Sequence, residues 1–160
     1  MSEITRINLP VIQLQKLDFL LGEGQGVEAM YQPDGEVLHY KAFVSGSRES
    51  CDRYVRVDYF ADIPTLGVDT FRLLITYDED NGCFRSWAFS TRALDPFICS
   101  GTFVDGSLVM LSEPVRMGNG LQKMRQSFSP IASGGFFYHC ERWELDGWKS
   151  YISVSFLPPS

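Results

Sequence analysis

The sequence predicts an all-β fold: a meander of about ten antiparallel strands that closes into an up-and-down barrel, with one short helix ahead of the first strand. Asp-Gly or Asn-Gly pairs recur along the chain, from Asp34-Gly35 to Asp146-Gly147, and such pairs accept the positive φ that tight hairpins need. Aromatic residues make up 14% of the chain, which favours strands. The connections are too short for parallel crossovers, so neighbouring strands should be antiparallel.

The helix is predicted from the apolar stretch that precedes the first glycine. Leu14, Leu17 and Leu21 recur at helical spacing. Pro10 suits a first helical position, and Gly22 suits the stop. Because so short a helix needs tertiary packing to persist, we expect it to cap one end of the β structure.

Nine turn signals follow the helix and divide the chain into ten strands. Five of them are the Asp-Gly and Asn-Gly pairs, which include Asn119-Gly120. The other four are weaker breaks at residues 45–50, 61–67, 91–96 and 129–135. The predicted strands cover residues 23–31, 36–44, 51–60, 67–77, 83–90, 97–104, 107–115, 121–128, 136–145 and 148–156. We expect one domain over residues 1–160, closed into a barrel because closure removes exposed strand edges. A flattened sandwich is the structural alternative.

Charge and composition exclude several classes of partner. The net charge of −6 opposes binding to nucleic acid, and no Lys/Arg run is present to bind anionic lipid. No apolar run reaches transmembrane length, so we expect no membrane partner. Residues 1–15 lack the pattern of a signal peptide, which predicts a cytoplasmic protein.

The four cysteines are expected to be reduced thiols rather than metal ligands. They are scattered along the chain and form no C-x-x-C pair, at Cys51, Cys83, Cys99 and Cys140. Zinc sites of the usual spacing need such pairs, so no metal site is predicted. Two disulfides in a secreted protein are the alternative.

The last hairpin predicts an inner face. A two-residue Asp146-Gly147 loop would place Leu145 opposite Trp148 and His139 opposite Val154. The more apolar face, predicted to lie inside, then carries Phe137, His139, Glu141, Trp143, Leu145, Trp148, Ser150, Ile152, Val154 and Phe156. Buried polar groups must be hydrogen-bonded, so His139 and Glu141 are either a structural polar pair or contacts to a ligand.

The central hairpin supplies further candidates on the opposite wall. Tyr77 and Trp87 are predicted to face a ligand across the barrel. Arg85 has two alternatives, because a one-residue change in the Asp78–Gly82 loop exchanges the faces. Inside the barrel it would hold an anionic head group, and outside it would be an ordinary solvated arginine.

No motif for a specific reaction is present. The chain has two histidines and no G-x-S-x-G motif. His139 and Cys140 are adjacent, so on a strand they point to opposite faces and cannot form a catalytic dyad. Gly22, Gly24 and Gly26 lack the spacing of a dinucleotide-binding loop.

Short motifs within this layout resemble those of calycin-like barrels. Leu20-Leu21-Gly22, the Tyr77-Asp78 hairpin and Trp87 are similar to motifs of a bacterial family with fatty-acid-binding-protein-like and nitrobindin-like architecture, although Gly24 stands where that family has a tryptophan. The resemblance implies a barrel that encloses a small hydrophobic or amphipathic ligand. Nitrobindin-like members bind haem through a histidine late in the chain, and His139 is the late histidine here, so the resemblance leaves haem as an alternative cofactor.

Three functions are therefore weighed. The first is non-enzymatic binding of a small hydrophobic or amphipathic molecule inside the barrel. The second is a small hydrolase or isomerase that uses His139 or Glu141 as its base. The third is an interaction protein whose barrel is filled with side chains. The sequence leaves a homodimer open as a further partner.

Overall fold

The predicted helix is confirmed and closes one end of the barrel. The structure, a computed structural model, describes residues 10–118 and 120–160. Residues 10–14 are α-helical and continue as a 3₁₀ helix, Gln15–Leu20; together they are the capping helix. Leu14, Leu17 and Leu20 are buried in the core, and Phe19 packs edge-on against Phe136 with ring centroids 6.3 Å apart. Gly22 begins the first strand with a φ of +89°.

Two regions of the sequence predictions fall outside the described residues. Residues 1–9 belong to the segment in which no signal peptide is expected, and Asn119 belongs to the predicted Asn119-Gly120 turn. Among the residues that the structure describes, no helix is both long and apolar enough to cross a membrane.

The described part of the chain forms twelve strands. They are β1 (Gly22–Tyr31), β2 (Val37–Glu49), β3 (Tyr54–Ile63), β4 (Gly67–Asp78), β5 (Cys83–Ser90), β6 (Phe97–Val104), β7 (Ser107–Ser112), β8 (Val115–Met117), β9 (Gly120–Gln122), β10 (Met124–Pro130), β11 (Phe136–Glu144) and β12 (Gly147–Phe156). Ten form a closed antiparallel barrel in the order β1-β12-β11-β10-β7-β6-β5-β4-β3-β2, and β8 pairs with β9 alone. The predicted ten-stranded meander is confirmed, with a small hairpin inserted between two of its strands.

The inserted hairpin lies over the end of the barrel opposite the capping helix. Ala93 forms a bridge with Met117, and the Leu94 amide donates to the Arg116 carbonyl over 3.2 Å. Arg116 also forms an ion pair with Asp95, with 2.6 Å between Nε and Oδ2. These contacts join the hairpin to the segment that follows β5. The predicted seventh and eighth strands therefore end and begin at different residues, because the chain leaves the barrel between them.

A close approach of backbone to backbone fixes the position of the capping helix. Gly46 on β2 lies directly under the Leu20 carbonyl, so that a Cβ atom placed there would be 1.8 Å from that oxygen. Only a residue without a side chain permits this contact. Asp18 in the helix also forms an ion pair with Arg48, the second residue after Gly46 on the same strand.

The predicted register of the last hairpin is wrong by one residue. Glu144 pairs with Gly147, so the loop is Leu145-Asp146 rather than Asp146-Gly147. A bulge between Cys140 and Glu141 then leaves Tyr151 as the extra residue on β12, and Tyr138 faces Val154 where His139 was expected to do so. The shifted loop moves the pairing by two residues, which keeps the faces, whereas the bulge moves it by one residue, which exchanges the faces of β11. Its inner face carries Phe136, Tyr138 and Cys140, whereas Phe137, His139 and Glu141 lie outside.

Candidate functional site

The barrel contains a cavity of about 80 Å³. At roughly 10–15 Å³ for each water position, this is room for roughly five to eight water-sized groups. Eight of the described residues that line it are aromatic and form what we term the aromatic wall: Tyr59, Phe71, Phe97, Phe128, Phe136, Tyr138, Tyr151 and Phe156. Many of these rings touch one another, for example Phe136 and Phe156 with centroids 5.3 Å apart. The interior is therefore apolar over most of its surface.

A buried carboxyl group interrupts this apolar surface. Glu28 on β1 is only 1% exposed and lines the cavity. The Tyr59 hydroxyl on β3 donates to Glu28 Oε2 over 2.7 Å, and the Tyr40 hydroxyl on β2 donates to the same oxygen. Tyr40 lies directly opposite Glu28 in the β1–β2 ladder, so the ladder register itself brings the two groups together. We term these three residues the Glu28 cluster.

The surroundings of Glu28 favour its protonated form. Burial raises the pKa of Glu28 above its ordinary value of 4.5, and this effect outweighs the two tyrosine hydrogen bonds, which lower the pKa. Burial also raises the pKa of Tyr40 and of Tyr59, and the neighbouring Glu28 adds to both shifts. Both hydroxyls therefore keep their protons and remain donors to the carboxyl group.

A second polar group spans the end of the barrel beside the Glu28 cluster. Arg92, in the segment after β5, places Nε 3.2 Å from Asp69 Oδ2 and donates from Nη1 to the Tyr151 hydroxyl over 3.2 Å. Thr91 donates to the other oxygen of Asp69 over 2.7 Å. These four residues, the Arg92 bridge, connect β4 to β12. Although burial lowers the pKa of Arg92, Tyr151 and Asp69 outweigh it, and the pKa lies above its ordinary value.

The charged groups of the cavity do not balance. Among the described residues that line it, Glu28 and Asp69 carry carboxyl groups and Arg92 carries the one cation. Because Arg92 and Asp69 neutralise each other, the charge of the cavity depends on whether Glu28 is ionised. The cavity is therefore neutral when Glu28 holds its proton and negative when it does not.

The four cysteines are free, and two of them lie inside the barrel. Burial raises the pKa of the Cys99 thiol to about 11 and that of Cys140 to about 12. Such thiols are almost entirely protonated near neutral pH, so neither is a ready nucleophile. Cys51 is exposed to solvent.

Most of the residues predicted from the last hairpin lie on the outer surface. Phe137 and Trp143 are 38% and 49% exposed. His139 Nε2 lies 2.9 Å from the Ser150 hydroxyl, and Glu141 binds Arg125 through both carboxylate oxygens, at 2.6 and 2.9 Å. The guanidinium of Arg125 in turn lies 4.7 Å from the ring centroid of Trp148. The prediction that these side chains face the interior is wrong, and nothing in the structure tests whether they bind a ligand.

The residues predicted from the central hairpin are divided between the two faces. Arg85 is outside, with Nη1 3.7 Å from Asp78 Oδ2 and its guanidinium over the Trp87 ring, so the solvated alternative is the one observed. Trp87 is outside because the buried Ser86 and Ala88 on either side of it face inward. Tyr77 points inward but packs on Phe84 near the capping helix, with centroids 5.2 Å apart.

The interior does not fit a haem group. His139, to which the resemblance assigns haem ligation, lies outside the barrel. A cavity of about 80 Å³ is also far smaller than a porphyrin. The groups available to a ligand inside the barrel are therefore the Glu28 cluster, the Arg92 bridge and the aromatic wall.

The sequence carried a signal for the Glu28 cluster that the prediction missed. A three-residue loop at residues 33–35 pairs Tyr31 with Val37 and Glu28 with Tyr40, whereas a two-residue Asp34-Gly35 loop would place Lys41 opposite Glu28. Glu28 then shares a face with Met30, and Tyr40 with Ala42 and Val44, all of them buried. An acid opposite a tyrosine on an apolar face indicates a buried hydrogen bond. Arg92 gave no such signal, because its segment lies outside the regular strands.

Comparison with known proteins identifies the fold. The chain is similar to the crystal structure of Rv2717c from M. tuberculosis, with a TM-score of 0.65 and 9% sequence identity over 92% of this chain and 97% of that one. No family model and no curated protein matches the sequence. At this identity the likeness concerns the fold, and it is nearly complete for both chains. The protein therefore shares its overall fold with Rv2717c.

Proposed function

We propose that the protein is a calycin-like barrel that binds a small apolar or amphipathic molecule inside its cavity and does not transform it. The observation that carries the proposal is the combination of an aromatic wall with a few buried, hydrogen-bonded polar groups, those of the Glu28 cluster and the Arg92 bridge. Ligand sites in proteins typically have this composition, with a largely apolar lining and a few placed polar groups that fix orientation.

The cavity favours binding over the alternative of a filled barrel. A barrel packed only with its own side chains would have voids no larger than a water molecule. The volume of about 80 Å³ exceeds that limit several times. The size also restricts the ligand to a small molecule, because a long acyl chain would need the core residues to move apart.

Binding is also favoured over catalysis. The proposed base of an enzyme, His139 or Glu141, lies on the outer face and is engaged there by Ser150 or Arg125. The two acids of the cavity are engaged as well: Glu28 accepts from the hydroxyls of Tyr40 and Tyr59, and Asp69 is paired with Arg92. We keep a cytoplasmic location in the proposal, which the four free cysteines support.

Native mass spectrometry of protein purified from its host tests the proposal directly. We expect a co-purified small molecule that is lost on unfolding. Calorimetry with benzyl alcohol is the second measurement, with Val57→Phe as the variant that fills the cavity. Val68→Phe is its matched control, because Val57 lines the cavity whereas Val68 is 57% exposed.

Benzyl alcohol should bind to the parent and to Val68→Phe and should fail to bind to Val57→Phe. Circular dichroism and urea unfolding establish that each variant is folded. Equal binding to all three proteins would place the ligand outside the cavity. A parent that carries no small molecule and binds no benzyl alcohol would overturn the proposal.

A further inference from the structure

We propose that the ligand carries a protonated amine, so that the cavity selects a small ammonium compound over the alcohol or carboxylic acid with the same carbon skeleton. This inference rests on the proposed function and names the chemical class of its ligand. Three features of the interior support it: the charge balance, the free oxygen of Glu28 and the aromatic wall.

The charge balance excludes an anion and leaves room for a cation. Arg92 is the one cationic residue among the described residues that line the cavity, and Asp69 already neutralises it at 3.2 Å. An anionic ligand would therefore meet Glu28 without a compensating positive charge. A cationic ligand instead supplies the charge that an ionised Glu28 lacks, and buried charges are stable only when paired in this way.

The geometry of Glu28 leaves one oxygen for a ligand. The hydrogen bonds that described side chains donate to this carboxyl group both end on Oε2, from Tyr40 and Tyr59. Oε1 is therefore the atom to which an ammonium group would donate. Such a charge-assisted hydrogen bond is about twice as strong as one between neutral groups. The hydrogen bonds from Tyr40 and Tyr59 would hold the carboxyl group in a fixed orientation while Oε1 accepts from the ammonium group.

The aromatic wall suits the rest of such a ligand. The faces of aromatic rings attract cations, and aromatic cages are a common means of recognising ammonium groups. Tyr59 belongs to both the Glu28 cluster and the aromatic wall. Its hydroxyl donates to Glu28, and its ring packs edge-on against Phe156 with centroids 6.4 Å apart. The carbon skeleton of the ligand would lie deeper in the barrel, on the side of Phe128 and Phe136.

Binding of an amine should be linked to ionisation of Glu28. The titratable or charged groups that act on Glu28 come from several elements: Tyr40 on β2, Tyr59 on β3, Asp69 on β4, Arg92 after β5, and Tyr138 and Cys140 on β11. The tyrosines and the cysteine have raised pKa values and stay neutral, and Asp69 is paired with Arg92. An ammonium ligand should therefore displace a proton from Glu28.

The test compares benzylamine, benzyl alcohol and benzoate by calorimetry on the parent, on Glu28→Gln and on Glu49→Gln. Glu49 is the matched control, because it is a carboxylate of the outer surface paired with Arg56 at 3.0 Å. We expect benzylamine to bind the parent at least about tenfold more tightly than benzyl alcohol, since a hydrogen bond to a charged group is the stronger one. Benzoate should be the weakest. The preference for benzylamine should vanish in Glu28→Gln and persist in Glu49→Gln.

A second measurement needs only the parent protein, in case Glu28→Gln fails to fold. Calorimetry in buffers of different ionisation enthalpy, repeated from acidic to mildly alkaline pH, should show that benzylamine releases a proton on binding over part of this range and that benzyl alcohol does not. Equal affinities for the amine and the alcohol at every pH, or no proton release at any pH, would overturn the inference and leave the proposed function standing. Failure of all three compounds to bind would overturn both.

Discussion

Replacing Glu28 by glutamine should change how stability depends on pH. Glutamine keeps an oxygen that can accept from Tyr40 and Tyr59, but it has no proton to lose. Burial raises the pKa of Glu28 in the folded protein above its ordinary value of 4.5. The stability that the protonated group contributes is fully present below the unfolded pKa and is lost as the pH rises through the folded pKa.

The slope of the unfolding free energy with pH follows from proton linkage. Between the two pKa values the folded state holds one more proton than the unfolded state, so the parent loses about 1.4 kcal/mol of unfolding free energy per pH unit. In Glu28→Gln no group titrates at this position, so this decrease in unfolding free energy is absent. The difference in unfolding free energy, variant minus parent, should therefore rise with that slope across the window and become constant above the folded pKa.

Other carboxyl groups act in the opposite direction and do not obscure the effect. The hydrogen bond from Arg125 lowers the pKa of Glu141, and that from Asn81 lowers the pKa of Asp78. Their contribution is present above the unfolded pKa and is lost as the pH falls through the folded pKa. Since both proteins contain these groups, the effect cancels in the difference.

The assay is urea unfolding followed by tryptophan fluorescence, from acidic to mildly alkaline pH, for the parent, Glu28→Gln and the control Glu49→Gln. The control makes the same substitution at a carboxylate of the outer surface, so it measures what the change from glutamate to glutamine does outside the barrel. A flat difference for Glu28→Gln, or one that grows toward acid, would refute the description of Glu28 as a carboxyl group raised in pKa by burial.

Three further predictions concern other parts of the molecule. Arg92→Gln leaves a buried carboxylate without its cation, so urea unfolding should show a loss of about 1–3 kcal/mol; an unchanged midpoint would contradict the Arg92 bridge. Gly46→Ala should cost about 1–3 kcal/mol, because the capping helix must move, and amide exchange in that helix should speed up; unaltered exchange would argue against the close contact. With a thiol reagent in native buffer, Cys51 should react rapidly, whereas Cys99 and Cys140 should react only after urea is added; early modification of the last two would show that the interior is open.

The fold could be predicted because turn chemistry and short connections act locally. Dipeptides such as Asp105-Gly106 and Asp146-Gly147 mark the ends of strands, and once the ends are known a meander has few ways to pair. The inserted β8–β9 hairpin was missed because its strands are three residues each, shorter than any pattern that alternation can reveal. The end of β2 was placed too early because Ser45–Ser50 resembles a turn, whereas the turn with positive φ lies at Ser50, Cys51 and Asp52.

The site could not be predicted from the last hairpin, because one residue decides which side chains face inward. The bulge that leaves Tyr151 unpaired reverses the orientation of His139 and Glu141, and nothing in the local sequence marks it. The Glu28 cluster depends in the same way on one residue, because a two-residue loop at Asp34-Gly35 would place Lys41 rather than Tyr40 opposite Glu28. Arg92 lies in a segment outside the regular strands, where alternation of side chains does not predict its orientation.

The bulge also bears on how the barrel forms. Both faces of β11 begin with an aromatic residue, Phe136 inside and Phe137 outside, so a chain that pairs β11 and β12 one residue out of step still buries a large ring. Such a chain cannot close the barrel, because closure requires β12 to pair with β1 so that Ile152 lies opposite Met30. A misaligned hairpin would therefore have to shift its pairing by one residue before β12 could pair with β1. The pairing of β12 with β1 therefore selects the native alignment of the last hairpin. This pairing should form slowly, because it joins strands that are far apart in the sequence.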